Sequence, residues 1–115
     1  MRVDHEDTYK DDDMRVHYED DLFTGEVAAH NGAGTLIALM SYVDGVPSGP
    51  HATWYPNGQK REEGTMRWGI AVGEWHAWHS NGQLAEHSVF NLQGKRERRQ
   101  RWDKEGNLTK DNSPQ

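Results

Sequence analysis

The chain contains no cysteine and few apolar residues of any kind. The lack of cysteine excludes thiol catalysis, disulfide bridges and zinc sites with cysteine ligands. Only 33% of the residues are hydrophobic, 28% are charged, and the mean hydropathy is -1.07. This composition is too polar for a thick two-layer core, yet five Trp and four Tyr are too many for a disordered chain. We therefore expect a thin β-sheet, wetted on both sides, in which rows of aromatic residues supply the packing.

Long hydrophobic segments are also lacking. No stretch approaches the roughly 20 apolar residues that a membrane-spanning helix requires. The N-terminus begins with an acidic segment from Asp4 to Asp7, and not with a basic segment followed by an apolar one, so no secretory signal is expected. These features predict a cytoplasmic protein that does not bind membranes.

Charge of both signs is present, but it is unevenly distributed. The net charge is -6; residues 1–21 carry nine acidic and three basic residues, and residues 95–115 carry seven basic and four acidic ones. Two interpretations remain open. The charged ends keep the protein soluble, or the acidic end docks on a basic partner.

A repeat with a period of 24 residues is the strongest feature of the sequence. Trp54, Trp78 and Trp102 recur at this spacing, and four glycines recur in a second register. Such periodicity is typical of repeat proteins in which each unit needs its neighbours to fold. We interpret the chain as one repeat domain, with a degenerate acidic unit at 1–24, units at 25–48, 49–72 and 73–96, a half unit at 97–109 and a tail at 110–115.

Each unit is predicted to be a β-hairpin. Pro56-Asn57-Gly58 and Ser80-Asn81-Gly82 separate runs of about seven residues that alternate in polarity. The sequence of these turns favours a three-residue loop with a bulge at the glycine. The fold class is therefore all-β, an elongated single-layer antiparallel meander of hairpin repeats.

The predicted register places Trp54 opposite Lys60, Trp78 opposite Leu84, Trp102 opposite Leu108 and His30 opposite Leu36. If alternation continues without interruption, the even-numbered residues of all strands share one face. That face would carry Leu36, Met40, Tyr42, Trp54, Met66, Trp78, Leu84, Phe90, Trp102 and Leu108. The opposite face would carry Val27, Ile37, Leu39, Trp75, Ala85 and Val89.

The pattern Gly-x-Trp-x-x-Trp-x-x-Asn-Gly-Gln-x-x-Glu of residues 73–86 resembles the bacterial variant of the MORN repeat. More specifically, it is similar to the repeat of the YwqK-like antitoxin family of toxin–antitoxin systems. The resemblance covers roughly residues 22–109 and departs from the family pattern in the first unit, where Gly32-Ala33-Gly34 forms the turn. It implies a cytoplasmic protein that neutralises a toxic partner by direct binding, often a toxin that attacks nucleic acid.

Catalytic and metal-binding residues are not indicated by the sequence. His76, His79 and His87 lie in one hairpin, but the predicted register puts His76 on one face and the other two on the opposite face, which disfavours a metal site. The carboxylates Glu62, Glu63 and Glu86 lack a concave pocket that would shield them from solvent, so they are not expected to act as a catalytic acid–base pair. We therefore expect no enzyme activity, no metal and no cofactor. The basic segment 95–101 is short in an acidic chain, so nucleic-acid binding is not expected either.

A protein partner is the preferred interpretation, because Trp, Tyr and Arg dominate the energetics of protein interfaces. The acidic residues would complement a basic toxin and speed its association. The candidate partner-binding residues are Trp54, Tyr55, Glu62, Met66, Trp75, Trp78, Glu86, Phe90 and Trp102. Alternatives are that the aromatic residues only hold the sheet together, that the chain is a scaffold forming head-to-tail homo-oligomers, and that it binds lipid headgroups. Its acidity opposes the last.

Overall fold

A computed structural model describes residues 1–112 and shows a β-protein measuring 48 × 36 × 22 Å. Twelve strands and one 3-10 helix, His5–Asp7, make up the fold. The strands are β1 (Arg2–Asp4), β2 (Thr8–Lys10), β3 (Val16–Tyr18), β4 (Asp21–Leu22), β5 (Gly25–His30), β6 (Leu36–Val43), β7 (Val46–Trp54), β8 (Lys60–Arg67), β9 (Ile70–Trp78), β10 (Leu84–Phe90), β11 (Arg96–Trp102) and β12 (Leu108–Asn112).

A nine-stranded sheet forms most of the molecule, with the order β1-β5-β6-β7-β8-β9-β10-β11-β12. From β5 to β12 the strands are neighbours in sequence and in space, and every pair is antiparallel. This confirms the predicted antiparallel meander. The predicted tail at 110–115 belongs partly to β12, which extends to Asn112; its last three residues lie outside the described part of the chain.

The predicted three-residue turns form in all four hairpins, with glycines at positions 34, 58, 82 and 106. In the turn at 56–58, the Gly58 N–H donates to the Tyr55 carbonyl and the Tyr55 N–H donates to the Gln59 carbonyl, at 2.9 Å in both cases. Gly58 has a φ of +90°, which is the left-handed conformation that a glycine bulge requires. The predicted pairs of Trp54 with Lys60 and Trp78 with Leu84 are both present.

A second extra residue follows each turn and changes the two faces of the sheet. Trp78 pairs with Leu84, but the next pair is Ala77 with Glu86, so Ala85 is a β-bulge. The same one-residue shift follows the turns of the other three units. Because a shift of one residue moves all later side chains of that strand to the other face, the predicted common even-numbered face is wrong.

The corrected faces follow from the observed pairs. The Trp face carries Trp54, Trp78 and Trp102, together with Lys60, Leu84 and Leu108 opposite them. The Glu face carries Glu62 and Glu86, which lie opposite Thr53, Ala77 and Arg101. Residues predicted to share the face of the tryptophans now lie on the Glu face: Met40, Tyr42, Met66 and Phe90. Leu39 and Val89 make the reverse change.

Hydrogen bonds between equivalent positions join one unit to the next. The Tyr55 hydroxyl donates to the Trp78 carbonyl at 2.7 Å, and one unit later His79 Nε2 contacts the Trp102 carbonyl at 2.9 Å. The side-chain amide of Asn57 donates to the Ser80 carbonyl at 3.3 Å in the same way. These bonds fix the turns of successive hairpins side by side.

Residues 1–24 form a different structure from the predicted degenerate hairpin. Strand β1 pairs with β5 in parallel, which adds a parallel edge to the antiparallel sheet. Strands β2, β3 and β4 form a separate three-stranded sheet. The main buried cluster of the protein lies where this N-terminal segment meets the large sheet: Val3, Val16, Phe23, Val27 and Tyr42, with Tyr18 and Met40 packed against it. No helix among residues 1–112 is long and apolar enough to cross a membrane.

Candidate protein-binding site

All nine residues predicted to bind a partner are half-buried, but they do not form one surface. Trp54, Trp78 and Trp102 lie on the Trp face. The Glu face carries Glu62, Met66, Trp75, Glu86 and Phe90, and Tyr55 lies in the turn that follows β7. The sequence-based prediction therefore identified side chains of suitable chemistry, but it assigned residues of two opposite faces to a single site.

On the Trp face, the indoles contact side chains of the neighbouring strand and of their own strand. Lys60 Nζ lies 5.9 Å from the ring centre of Trp54, within the range of a cation–π interaction. The ring of Trp78 stacks on His76 with a centroid distance of 5.9 Å. These contacts hold the sheet together and leave part of each indole open to solvent.

On the Glu face, Trp75 lies flat across the backbone at Gly64. A Cβ placed on Gly64 would overlap the Trp75 ring, so only glycine leaves room for the indole. The Trp75 Nε1–H is shared between the carbonyl oxygens of Thr65 and Val72, each at 3.2 Å. The ring also contacts His51, at a centroid distance of 5.3 Å. Trp75 is therefore a fixed structural residue as much as a surface one.

The two predicted acidic residues have different partners. His51 Nε2 contacts Glu62 Oε1 at 3.2 Å. Glu86 Oε1 accepts from Arg101 Nε at 2.7 Å and from Arg99 Nε at 3.0 Å. Partial burial of Glu86 would raise its pKa, but the hydrogen bonds and charges of Arg101 and Arg99 outweigh this effect and lower the pKa below its ordinary value. The negative charge of Glu86 is thus balanced by the two arginines of β11.

A shallow groove of about 440 Å³ lies on the Glu face beside the turns. Its lining includes His51, Tyr55, Arg61, Glu62 and His79. Arg61 lies over the Tyr55 ring at 5.6 Å. The groove is open to solvent, and its mixture of aromatic, basic and acidic groups suits contacts with polar side chains of a protein.

Trp68 is an exposed residue that the sequence analysis missed. It lies with Gly69 in the tight turn between β8 and β9, and 59% of its surface is exposed. Its φ of +47° is unfavourable for a bulky residue, and this position of a hairpin normally holds Asn, Asp or Gly. Ile70 and Leu92, exposed by 39% and 64%, lie at the same end of the sheet. The signal was present in the sequence, since Asp44-Gly45 occupies the same position one unit earlier.

The histidines of the third full hairpin are also placed differently from the prediction. His87 lies opposite His76 on the Trp face, because the bulge at Ala85 shifts β10 by one residue. Glu74, His76 and His87 bring three possible metal-ligand atoms within 4.8 Å of one another. His79 does not join them, since it contacts the Trp102 carbonyl.

No family model matches the chain, and neither the curated proteins nor the solved structures contain a significant match to it.

Proposed function

We propose that this chain is a non-enzymatic, cytoplasmic protein-binding module, and that it acts as an antitoxin or immunity protein by binding a toxin directly. The observation that carries the proposal is Trp68, a largely exposed indole held in a left-handed turn at the end of the sheet. An aromatic residue in this position is strained, and most of its surface stays in contact with solvent. Strained, exposed residues of this kind concentrate at binding sites, and Trp is the residue most enriched in interface hot spots.

The protein's own N-terminal segment supports this role for the end of the sheet. One unit earlier, the equivalent turn at Asp44-Gly45 is covered by that segment. The Val16 N–H donates to the Gly45 carbonyl at 2.8 Å, and the Asp44 N–H donates to Thr24 Oγ1 at 2.9 Å. The bond from the Gly45 N–H to the Phe23 carbonyl, at 2.8 Å, recurs in the next turn, where the Gly69 N–H donates to the Pro47 carbonyl at 2.7 Å. A polypeptide therefore docks on one turn within the molecule, and a partner polypeptide would dock on the next one.

The partner is proposed to be basic. The net charge of -6 attracts a basic protein and raises its rate of association. Trp68, with Ile70 and Leu92 beside it, would supply the apolar centre of the interface, and the groove on the Glu face would supply polar contacts. The antitoxin role comes from the resemblance of the repeat, and the choice of surface comes from the exposed indole.

The test compares two substitutions of the same kind. Trp68→Asn removes the indole and replaces it with a residue that tolerates a left-handed turn. Met14→Asn is the matched control, because Met14 is also apolar, 66% exposed and left-handed, with a φ of +64°, but lies in the N-terminal segment. The partner is first captured from the native host with the unmodified protein and identified.

The captured protein is then expressed alone and with each variant. We expect it to stop growth alone, and we expect growth to be restored by the unmodified chain and by Met14→Asn but not by Trp68→Asn. A captured protein that leaves growth normal would contradict the antitoxin role. Equal rescue by both variants would contradict the role of Trp68.

Head-to-tail self-assembly is the second candidate, because β12 is a fully exposed edge strand. Its backbone could pair with the β1 edge of a second copy, with the basic C-terminal region against the acidic N-terminal one. This function predicts oligomers that dissociate with salt. A monomeric mass by light scattering at low salt and high protein concentration would rule it out.

A further inference from the structure

The third full hairpin carries a group of side chains that the proposed function does not use. His76 and His87 form a directly opposite pair in β9 and β10, so their side chains share the Trp face. Glu74 lies two residues before His76 on β9 and therefore projects from the same face. The bulge at Ala85 creates this arrangement, because without it His87 would lie on the Glu face.

We propose that Glu74, His76 and His87 bind a single Zn²⁺ ion. Two imidazoles and one carboxylate are a ligand set that zinc uses when one coordination position stays open. One oxygen or nitrogen from each of the three side chains lies within 4.8 Å of the others. Glu74 Oε1 is 3.1 Å from His87 Nε2, and the two imidazole rings stack with centroids 4.7 Å apart.

These distances suit a tetrahedral ion. With metal–ligand bonds of about 2.1 Å, the ligand atoms of a tetrahedron lie about 3.4 Å apart. The pair formed by Glu74 and His87, at 3.1 Å, is already close to this distance. The other pairs of ligand atoms lie within 4.8 Å, so changes of side-chain rotamer, and not movement of the strands, would have to bring them to this distance.

The surroundings leave the three side chains accessible from solvent. Glu63 lies opposite His76 on the other side, and its charge is partly compensated by Lys60 Nζ at 2.8 Å. The Glu74 side chain is 67% exposed and the His87 side chain 17% exposed, so the site opens to solvent. The open coordination position would accept water or a donor atom from another molecule.

The other units lack this ligand set, although the backbone repeats. At the positions of Glu74, His76 and His87, the unit at 49–72 has Pro50, Ala52 and Glu63, and the C-terminal hairpin has Arg98, Gln100 and Asp111. On the Glu face, His51 and Glu62 make a similar contact at 3.2 Å, but Gly64 and Trp75 lie beside them in place of a second histidine. His51 and Glu62 are thus a natural comparison for the proposed site, because they provide only two possible zinc ligands.

Zinc chloride titrated into the full chain without an affinity tag, followed by calorimetry at pH 7.5, tests the proposal. We expect one saturable site per chain, and we expect His76→Asn or His87→Asn to weaken binding at least tenfold. Glu74→Gln should weaken it less, because the amide oxygen remains a poorer ligand. His51→Asn is the control and should leave the affinity unchanged.

Two further measurements keep the result interpretable. Far-UV circular dichroism shows whether each variant is folded, and Glu74→Gln, an isosteric change of an exposed residue, serves if a histidine variant is not. Zinc affinity should fall as the pH is lowered from 7.5 to 5.5, because the imidazoles must be neutral to bind the ion. The proposal is overturned if zinc does not saturate at one ion per chain, or if the double variant of His76 and His87 binds it as well as the unmodified protein.

Discussion

Two turns of the sheet occupy equivalent positions but have different surroundings. Asp44-Gly45 lies beneath the N-terminal segment, which hydrogen bonds to it and packs Val16 and Phe23 beside it. Trp68-Gly69, 24 residues later, carries an exposed indole. Both turns keep one bond to the preceding segment, since the Gly69 N–H donates to the Pro47 carbonyl as the Gly45 N–H donates to the Phe23 carbonyl. The difference lies in the contacts of Val16 and Thr24, by which the N-terminal segment covers the first turn.

The same division separates two ways of stabilising the protein. Residues 1–45 contain a compact cluster of buried side chains that includes Val3, Phe23 and Tyr42. Among the described residues from 46 onward, Val72 and Ser88 are the buried ones. There the sheet depends on cross-strand pairs, stacked rings and hydrogen bonds between units, each of which contributes little by itself.

The largest effect is expected in the N-terminal cluster. Phe23→Ala should destabilise the protein by about 3–5 kcal/mol, because Phe23 is 4% exposed and its loss leaves a cavity. Urea unfolding measures the change. Leu92→Ala, at a site 64% exposed, should alter the free energy of unfolding by less than about 0.5 kcal/mol. Similar losses for both variants would mean that the cluster is not the stable part of the fold.

The second-largest loss of stability is expected for the tryptophans of the Trp face. Trp78→Ala removes the stack on His76 and the pairing with Leu84, and we expect a loss of about 2–4 kcal/mol. Trp68→Ala removes an indole that packs little and is the control. An unchanged melting temperature for Trp78→Ala would show that the row is not structural.

Gly64 tests how closely the Glu face is packed. In Gly64→Ala the new methyl group would overlap the Trp75 ring, so we expect a loss of about 1–3 kcal/mol and a change in tryptophan fluorescence. Gly32→Ala is the matched control, since a Cβ there has no neighbour within 4 Å. If both variants melt at the same temperature, Trp75 moves freely and is not fixed by Gly64.

The smallest effect on stability is expected for the ion pairs between β10 and β11. Because its pKa is lowered in the folded state, Glu86 contributes stability that is present above its ordinary value of 4.5 and is lost as the pH falls through the folded-state pKa. Glu86→Gln should cost about 0.5–1 kcal/mol at pH 7 and less at pH 3. Thermal unfolding at both pH values measures this difference.

The control for this change is Glu97→Gln, which alters an exposed glutamate of β11. It should lose stability with acid as the unmodified protein does. A constant difference between Glu86→Gln and the unmodified protein across this pH range would show that its contacts with Arg99 and Arg101 are not electrostatic.

The sequence predicted the hairpins well because their signals are local. Gly58 and Gly82 fall where a bulged three-residue loop requires a left-handed residue, and the register beside the loop follows from its length. The spacing of the tryptophans then places the hairpins side by side. Local chemistry and the 24-residue period were therefore enough for the meander.

The faces could not be predicted, because nothing in the side chains at 61 or 85 marks the second bulge. Arg61 and Ala85 are ordinary strand residues, yet each is the extra residue that changes the face of those that follow. This is why His87 was placed away from His76, and why Met66 and Phe90 were grouped with the tryptophans. The N-terminal cover was missed for another reason: it depends on contacts such as that of Val16 with Gly45, which are distant in sequence.

The period of 24 residues also makes the molecule modular. A duplicated unit inserted after residue 96 would bring its own turn, its own bulge and its own bonds to the preceding hairpin, and would widen the sheet by two strands, or about 9.6 Å. The N-terminal segment would still pack on the first turn, and the added side chains would continue the Trp face and the Glu face. Gene duplication could thus enlarge the recognition surface without a new core.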